Sequence, residues 1–268
     1  MNNEEYIKAI EMRTSRRSYK SVPLDEGTMA NIKDMVDYVN KKANLNFIFI
    51  EDASPAFSIF SGRFSAIAVC GEDTADARED CGFYGETIVL QCAYHGLGTC
   101  WVSGTYNENT ILNMIDLPKK IRLYCVIAIG FANTKKSLLE NIMYKATHKN
   151  SKPYQKMFEV CDEKLPQHFE YAMQLVEKAP SAVNRRPVNF RYENGVVSAS
   201  VDEPYSDKSI DFGIAKLHFQ LGASAKGIKG EWINGAFVED KNKVLKFPKV
   251  NTEKESSNYE EKGDSENE

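Results

Sequence analysis

Two apolar runs constrain the fold of this chain more than any other part of its sequence. FSAIAVCGE (64–72) and IRLYCVIAIGFA (121–132) are almost free of charged residues over the length of a strand. Because an uninterrupted apolar strand must be covered on both faces of its sheet, the two runs predict a sheet buried between layers. The chain has 268 residues and is 42% hydrophobic, which is enough material for such a core.

Helices and strands alternate around these runs in both parts of the chain. Glycine-punctuated residues 96–106 are expected to form a loop, and the polar segment 133–157 a surface connector. The pattern is α+β, and the chain carries neither a G-x-G-x-x-G nor a G-x-x-x-x-G-K-[ST] phosphate loop. We expect helices over 3–12, about 25–40, about 80–95, 107–115, about 167–178 and 209–223, and further strands over 46–52, 188–193 and 196–201, with a last hairpin within 231–246.

Charge is unevenly distributed along the sequence. The formal net charge is −4, but residues 251–268 alone carry seven acids and two lysines, so the rest of the chain is close to +1. A body so near neutrality lacks the broad basic surface that general nucleic-acid binding needs. The acidic segment 251–268 has almost no apolar residues and is expected to be disordered.

The remaining composition predicts a reduced, cytoplasmic protein without a metal. The first residues lack the apolar core of a secretory signal, and no run is long and apolar enough to span a bilayer. The six cysteines include no C-x-x-C pair, and the four histidines show no metal-ligand spacing. We therefore expect no metal site and no membrane partner.

Three segments could carry chemistry, and each has a plainer interpretation. In RTSRR (13–17), Arg13 and Arg17 at i and i+4 share a helix face, with Ser15 where the helix frays, and suit a phosphate monoester; the alternatives are a solvated basic face and a modification site at RRS. GLGTCWVSG (96–104) lets a backbone approach a flat ligand, or is a helix C-cap before a strand. APSAVNRRP (179–187) is a rigid polar turn, or an ordinary loop between a helix and a strand.

Taken together, these segments resemble the flavin-dependent nitroreductase family. The resemblance rests on R-x-S-x-R at 13–17, GLGTCW at 96–101, IAIGFA at 127–132 and P-S-x-x-N-x-x-P at 180–187, and it spans roughly residues 5–235. It implies an α+β fold with a nitroreductase-like mixed sheet flanked by helices. It also implies FMN as the cofactor and NADH or NADPH as the electron donor.

The order of the segments departs from the usual family pattern. P-S-x-x-N normally follows the second helix, but here it comes about 140 residues later, behind a helix of its own. Asp80-x-Gly82 is also echoed by Asp211-x-Gly213. The chain thus resembles the rearranged "putative nitroreductase" subfamily, which implies a single-chain pseudo-dimer with both halves of one flavin site. The expected divisions are 1–150 for phosphate and ring contacts, 151–250 for a truncated second half, and 251–268 for the tail.

The resemblance also assigns roles to individual residues. The segment at 13–17 would hold the FMN phosphate, residues 101–104 would line the flavin ring near N5, and the 180–184 loop would contact it from the second half. Lys152, with Lys149 as second choice, matches the basic residue that the family carries after its long strand. The implied cofactor-binding set is Arg13, Thr14, Ser15, Arg17, Trp101, Val102, Ser103, Gly104, Lys149, Lys152, Pro180, Ser181, Ala182 and Asn184, with no metal ligand.

The implied activity is that of an FMN-dependent NAD(P)H oxidoreductase. A nicotinamide passes hydride to flavin N5, and a nitroaromatic or quinone-type acceptor then takes its place, so that no catalytic side chain is needed. The alternative is a flavin-binding protein without turnover, for storage or sensing. A nucleic-acid binder acting through RTSRR is disfavoured by the near-neutral body. The expected assembly is a monomer that is its own pseudo-dimer, or a homodimer.

Overall fold

The computed structural model describes residues 1–149 and 151–242. The predicted disorder of 251–268 concerns residues outside this described part. The described residues form the helices α1 (Asn3–Met12), α2 (Glu26–Ala43), α3 (Ala75–Tyr94), α4 (Glu108–Leu112), α5 (Leu138–Lys149), α6 (Gln167–Glu177) and α7 (Lys208–Ala225). Their strands are β1 (Ile48–Ile50), β2 (Ser65–Glu72), β3 (Gly98–Val102), β4 (Ile121–Gly130), β5 (Phe158–Val160), β6 (Val188–Glu193), β7 (Val196–Val201), β8 (Gly230–Ile233) and β9 (Ala236–Glu239).

The first sheet has the antiparallel order β1-β2-β4-β3 and is covered on both faces. Ile67 and Ile127 point towards α2 and α3, where they join one core cluster with Val36 and Ile88. Their neighbours along the strands, such as Ala66, face a second cluster rich in aromatic side chains. The two apolar runs therefore form the buried strands that the sequence predicts, because alternate side chains enter different cores.

The second sheet is mixed, with the order β5-β6-β7-β9-β8, and only β5 and β6 pair in parallel within it. The predicted hairpin at Asn194-Gly195 joins β6 to β7, and both residues have a positive φ (51° and 77°), as a tight hairpin turn of this kind requires. α6 and α7 cover one face through a cluster that contains Phe169, Phe190 and Phe219. The fold is thus α+β with helices flanking both sheets, as predicted.

The two halves repeat one topology. The succession α2-β1-β2-α3-β3-β4 corresponds to α6-β6-β7-α7-β8-β9, and the sheet orders β1-β2-β4-β3 and β6-β7-β9-β8 match strand for strand. Identical residues recur 131 positions apart through α3-β3 and α7-β8. The pairs are Asp76 and Asp207, Asp80 and Asp211, Gly82 and Gly213, Leu90 and Leu221, Gly96 and Gly227, and Trp101 and Trp232.

The repeat is symmetrical where α3 and α7 cross. A methyl group on Gly82 would collide with the carbonyl of Ile210, and one on Gly213 would collide with that of Glu79. Each glycine thus meets the residue three positions before its counterpart. Both helices then end before a left-handed glycine, Gly96 at φ 81° and Gly227 at φ 83°. By architecture the chain is a single-chain pseudo-dimer, and its two halves meet at this crossing.

The structure corrects three predictions of secondary structure. Part of the predicted loop 96–106 is a strand, because residues 98–102 form β3. Gly98, at the start of β3, packs against Ala132 and Arg16. The predicted connector 133–157 contains the helix α5. Leu138 and Ile142 of this helix are exposed, so its apolar residues do not form the buried face by which a helix is predicted from sequence. α3 begins at Ala75, capped by Thr74, rather than near residue 80. In the described part of the chain, no helix is long and apolar enough to cross a membrane.

Candidate functional site

The segment after α1 is extended, so the predicted helix face shared by Arg13 and Arg17 is wrong. Arg13 caps α1 with φ −62° and ψ 131°, and the chain then runs beside β3, where the Arg16 amide donates to the carbonyl of Thr99 at 2.9 Å. Alternate residues of an extended chain share a side. Arg13, Ser15 and Arg17 therefore still line one cavity, while Arg16 turns away from it.

Arg16 and Glu140 hold this segment in place. The Arg16 Nε donates to Glu140 Oε1 at 3.1 Å and its Nη2 donates to the carbonyl of Asn133 at 2.7 Å. The same carboxylate accepts the amides of Arg17 and Ser137 at 2.6 and 2.7 Å. Burial alone would raise the pKa of Glu140, but these hydrogen bonds outweigh it and lower the pKa below the usual value. The first turn of α5 thus fixes the backbone of the 13–17 segment.

A cavity of about 740 Å³ lies between the two halves, within the size range of small-molecule sites. Its wall brings together twelve of the fourteen residues in the predicted set. They are Arg13, Thr14, Ser15, Arg17, Trp101, Val102, Ser103, Gly104, Pro180, Ser181, Ala182 and Asn184.

Lys149 and Lys152 are the two predicted residues that do not line this cavity. Lys149 is exposed at the end of α5. The Lys152 Nζ donates to the carbonyl of Val188 at 2.9 Å and to Asn189 Oδ1 at 2.5 Å. Burial lowers the pKa of Lys152 despite the nearby Asp202. The basic residue implied after the long strand is thus not supplied at the cavity by either lysine.

The 180–184 loop is held in a strained conformation. Val183, Asn184 and Arg186 have positive φ values of 46°, 56° and 54°, which is unusual above all for a β-branched residue. The Ala182 amide donates to Asp211 at 3.0 Å, and the Asn184 side-chain amide donates to Ser151 Oγ at 2.6 Å. These bonds fix the loop against the cavity.

Asp211 is the central acceptor of this loop. Besides the Ala182 amide, it binds Arg185, whose Nη2 lies 3.1 Å from Oδ2. Burial raises the pKa of Asp211 to about 6 although both partners favour the charged form. Asp211 lines the cavity and is the repeat counterpart of Asp80.

The indole of Trp101 occupies space that a glycine leaves open. A methyl group on Gly85 would lie 2.5 Å from the Trp101 ring. The Trp101 Nε1 donates to Glu86 Oε2 at 2.8 Å, which orients the ring from below the cavity. The carboxylate of Glu86 is completely buried.

The family is decided by a comparison with known proteins. A family model described as "Putative TM nitroreductase" matches residues 5–223. The chain belongs to this nitroreductase family. The membership makes it a nitroreductase-like oxidoreductase by class. No protein with a curated description matches the sequence.

Solved structures of nitroreductases also resemble this chain. A "putative nitroreductase" from Thermotoga maritima MSB8 is 24% identical with a TM-score of 0.60, covering 88% of this chain and 92% of that one. An FMN-dependent nitroreductase from Clostridium difficile R20291 is 20% identical (TM-score 0.39), covering 49% and 90%. A nitroreductase family protein from Clostridium difficile 630 is 21% identical (TM-score 0.42), covering 62% and 100%. The first supports the nitroreductase fold over most of the chain.

Several residues that line the cavity carry no sequence signal. On α5 and just before it, Tyr144 stacks on His148 with ring centroids 3.8 Å apart, and the Lys136 Nζ lies 5.0 Å from the Tyr144 ring centre. All three side chains line the cavity. The supporting roles of Glu140 and Asp211 also escape sequence reasoning, since Glu140 binds the Arg17 amide 123 residues away and Asp211 binds the Ala182 amide 29 residues away.

Proposed function

We propose that this chain is an FMN-dependent NAD(P)H oxidoreductase that reduces nitroaromatic or quinone-type acceptors. One observation carries the proposal: segments 13–17 and 101–104 of the first half and loop 180–184 of the second half line the same cavity. One chain therefore offers phosphate contacts and ring contacts together, so that a monomer suffices for one FMN. The division into residues 1–150 and 151–250 follows from the same reasoning.

The cations of the cavity fit a phosphate monoester. Arg13 lines the cavity, and its Nε lies 3.8 Å from Glu86 Oε1 without forming a hydrogen bond to a described residue. Among the described residues, Arg17 has no carboxylate partner within ion-pair distance. Two guanidinium groups at the cavity wall, next to the Ser15 hydroxyl, are donors of the kind that a phosphate group needs.

The other walls fit a flat ring system. Trp101 and the Ser103-Gly104 backbone come from the first half, and the rigid Pro180–Asn184 loop comes from the second. When bound, FMN supplies the hydride chemistry, and the chain supplies binding, orientation and the surrounding charge. A catalytic acid or base among the side chains is therefore not required.

The test is the visible spectrum of the purified full-length chain, before and after adding FMN and then NADH or NADPH under anaerobic conditions. We expect bound flavin that one of the donors bleaches. No bound flavin and no uptake would overturn the proposal. Retention without bleaching by either donor would instead favour the storage or sensing alternative.

Variants locate the phosphate contacts. Arg13→Ala and Arg17→Ala should each weaken FMN retention, and the double variant should weaken it further. Lys149→Ala is the matched control, because it removes a cation outside the cavity wall. Unchanged retention in the double variant would show that these arginines do not hold the phosphate.

A further inference from the structure

Glu86 places a carboxylate out of contact with water, directly beneath the cavity. Its side chain is 0% exposed. Its Oε2 accepts the Trp101 indole N–H at 2.8 Å, and its Oε1 lies 3.0 Å from His218 Nε2 and 3.8 Å from Arg13 Nε. A buried carboxylate without such partners would be strongly destabilising. These three side chains therefore have to stay where they are for Glu86 to remain buried.

His218 is equally buried, and both of its ring nitrogens face oxygen atoms. Nδ1 lies 3.0 Å from the carbonyl of Leu175, which can only accept, so Nδ1 carries a proton. Nε2 and Glu86 Oε1 then share a second proton. The Arg13 Nε lies 3.8 Å from the same Glu86 oxygen, and this arrangement of charges favours the negative charge on Glu86 and the second proton on Nε2. The geometry thus assigns a buried imidazolium–carboxylate pair.

This pair joins the two halves of the chain at the cavity. Glu86 lies on α3, and its partners Arg13 and Trp101 also belong to the first half. His218 lies on α7 in the second half, with its other nitrogen facing the end of α6. Arg13 also reaches the second half, since its Nη2 donates to the carbonyl of Lys178 at 3.3 Å. The second half thus orients two cavity residues of the first.

The internal repeat shows that the helix crossing itself does not need this carboxylate. The counterpart of Glu86 is Leu217, and the counterpart of Gly85 is Lys216. Lys216 fills the corresponding space with its own chain: its Nζ pairs with Glu79 and lies 5.3 Å from the Trp232 ring centre. The two copies of this position thus differ in sequence, and the copy with Gly85 and Glu86 is the one whose tryptophan lines the cavity. The Glu86 network therefore belongs to the site and not to the fold.

We propose that Glu86 and His218 are positioning residues, whose ion pair across the two halves fixes Arg13 and Trp101 for the cofactor phosphate and ring. The inference rests on the proposed function. It adds that the cofactor site is completed by a charge pair between the halves, and that neither half orients Arg13 and Trp101 alone.

Two measurements test the pair without any cofactor. In the apo-protein, nitrogen NMR of His218 should show both ring nitrogens protonated at pH 7 in the wild type, and a neutral ring in Glu86→Gln. In a Trp232→Phe background, the emission of Trp101 should shift on Glu86→Gln, since its N–H then faces a neutral amide. A neutral His218 ring in the wild type would overturn the ion pair.

FMN titration of the apo-protein tests the positioning. Glu86→Gln and His218→Gln should each raise the FMN dissociation constant about tenfold or more, as expected for a lost charge-assisted hydrogen bond. Their double variant should be little worse than either single one, because both remove the same pair. If Glu86→Gln does not fold, His218→Gln alone keeps the test valid, because it removes the other member of the same pair and His218 does not line the cavity.

Lys216→Met is the matched control, because it breaks the buried pair at the equivalent crossing and leaves the cavity intact. It should lower stability without changing FMN affinity. Unchanged FMN affinity in folded Glu86→Gln and His218→Gln would overturn the positioning role while the proposed function stands. Failure of the wild type to bind FMN would instead refute the proposed function, and the NMR result would still decide the ion pair.

Discussion

Neutralising Asp80 is expected to stabilise this protein at neutral and alkaline pH. Asp80 and Asp211 occupy equivalent positions in the internal repeat, and burial raises the pKa of both carboxyls to about 6. Asp211 is compensated by the Ala182 amide and by Arg185. Asp80 accepts no hydrogen bond from a described residue, and its neighbours Glu79 and Asp76 raise its pKa further, against the attraction of Lys216.

The size of the effect follows from the displacement of the pKa. The folded value of about 6 lies above the ordinary value of 3.8. The stability that the protonated carboxyl contributes is therefore fully present below pH 3.8 and lost as the pH rises through about 6. Two pKa units correspond to roughly 3 kcal/mol, and because the side chain keeps partial contact with water we expect about 1–2 kcal/mol.

Urea unfolding of the wild type and Asp80→Asn, at pH 5 and pH 8, measures this difference. Asp80→Asn should be more stable at pH 8 by about 1–2 kcal/mol, with a clearly smaller gain at pH 5. Asp211→Asn is the matched variant at the equivalent position: its carboxyl has a similarly raised pKa, so it should also gain stability at pH 8, by less than Asp80→Asn because it gives up the contact with Arg185. An Asp80→Asn variant no more stable than the wild type at pH 8, or equally stabilised at both pH values, would refute the reasoning.

Three further substitutions test the crossing, the loop and the anchor of the 13–17 segment. Gly213→Ala places a methyl group against the carbonyl of Glu79 and should cost about 1–3 kcal/mol in urea unfolding, despite the better helix propensity of alanine. Val183→Gly removes a β-branched side chain at φ 46° and should gain about 0.5–1 kcal/mol; a loss would show that the loop is unstrained. Glu140→Gln removes the negative charge that accepts hydrogen bonds from the Arg16 side chain and from the Arg17 amide. It should therefore lower FMN affinity and speed hydrogen exchange of the Arg17 amide, and unchanged exchange would contradict the anchoring role.

Hydrophobic patterns and turn residues predict the strands and the hairpin turn correctly, because a short stretch of sequence is enough to determine each of them. The apolar runs at 64–72 and 121–132 could only be buried strands, and Asn194-Gly195 could only be a tight hairpin, and both interpretations are correct. α5 escapes prediction because Glu140 is its buried residue, so that it shows no apolar face to recognise. The extended course of 13–17 is set by β3, which lies more than 80 residues further along.

The sequence indicates most of the segments that line the cavity, but not the side chains that hold those segments in place. Motifs near residues 13, 101 and 180 are short enough to recognise one by one, and the cavity wall contains most of them. The groups that hold them, Glu86 and Asp211, interact with residues far away in the sequence, such as His218 and Ala182. A buried carboxylate has no local pattern, because its need for partners is met only after the chain has folded.

The repeat explains why one chain of this length carries one such cavity. Both copies of the repeat keep the glycine that the crossing of α3 and α7 requires, since Gly82 and Gly213 each pack against a backbone carbonyl of the other helix. The copies differ beside the cavity. Gly85 leaves room for the indole of Trp101, whereas its counterpart Lys216 fills the corresponding space next to Trp232. Close packing constrains both copies equally, whereas the ligand constrains only one of them. At Gly85 and Lys216 the two copies therefore differ beside the cavity, whereas the cavity residues Trp101 and Asp211 have identical counterparts, Trp232 and Asp80.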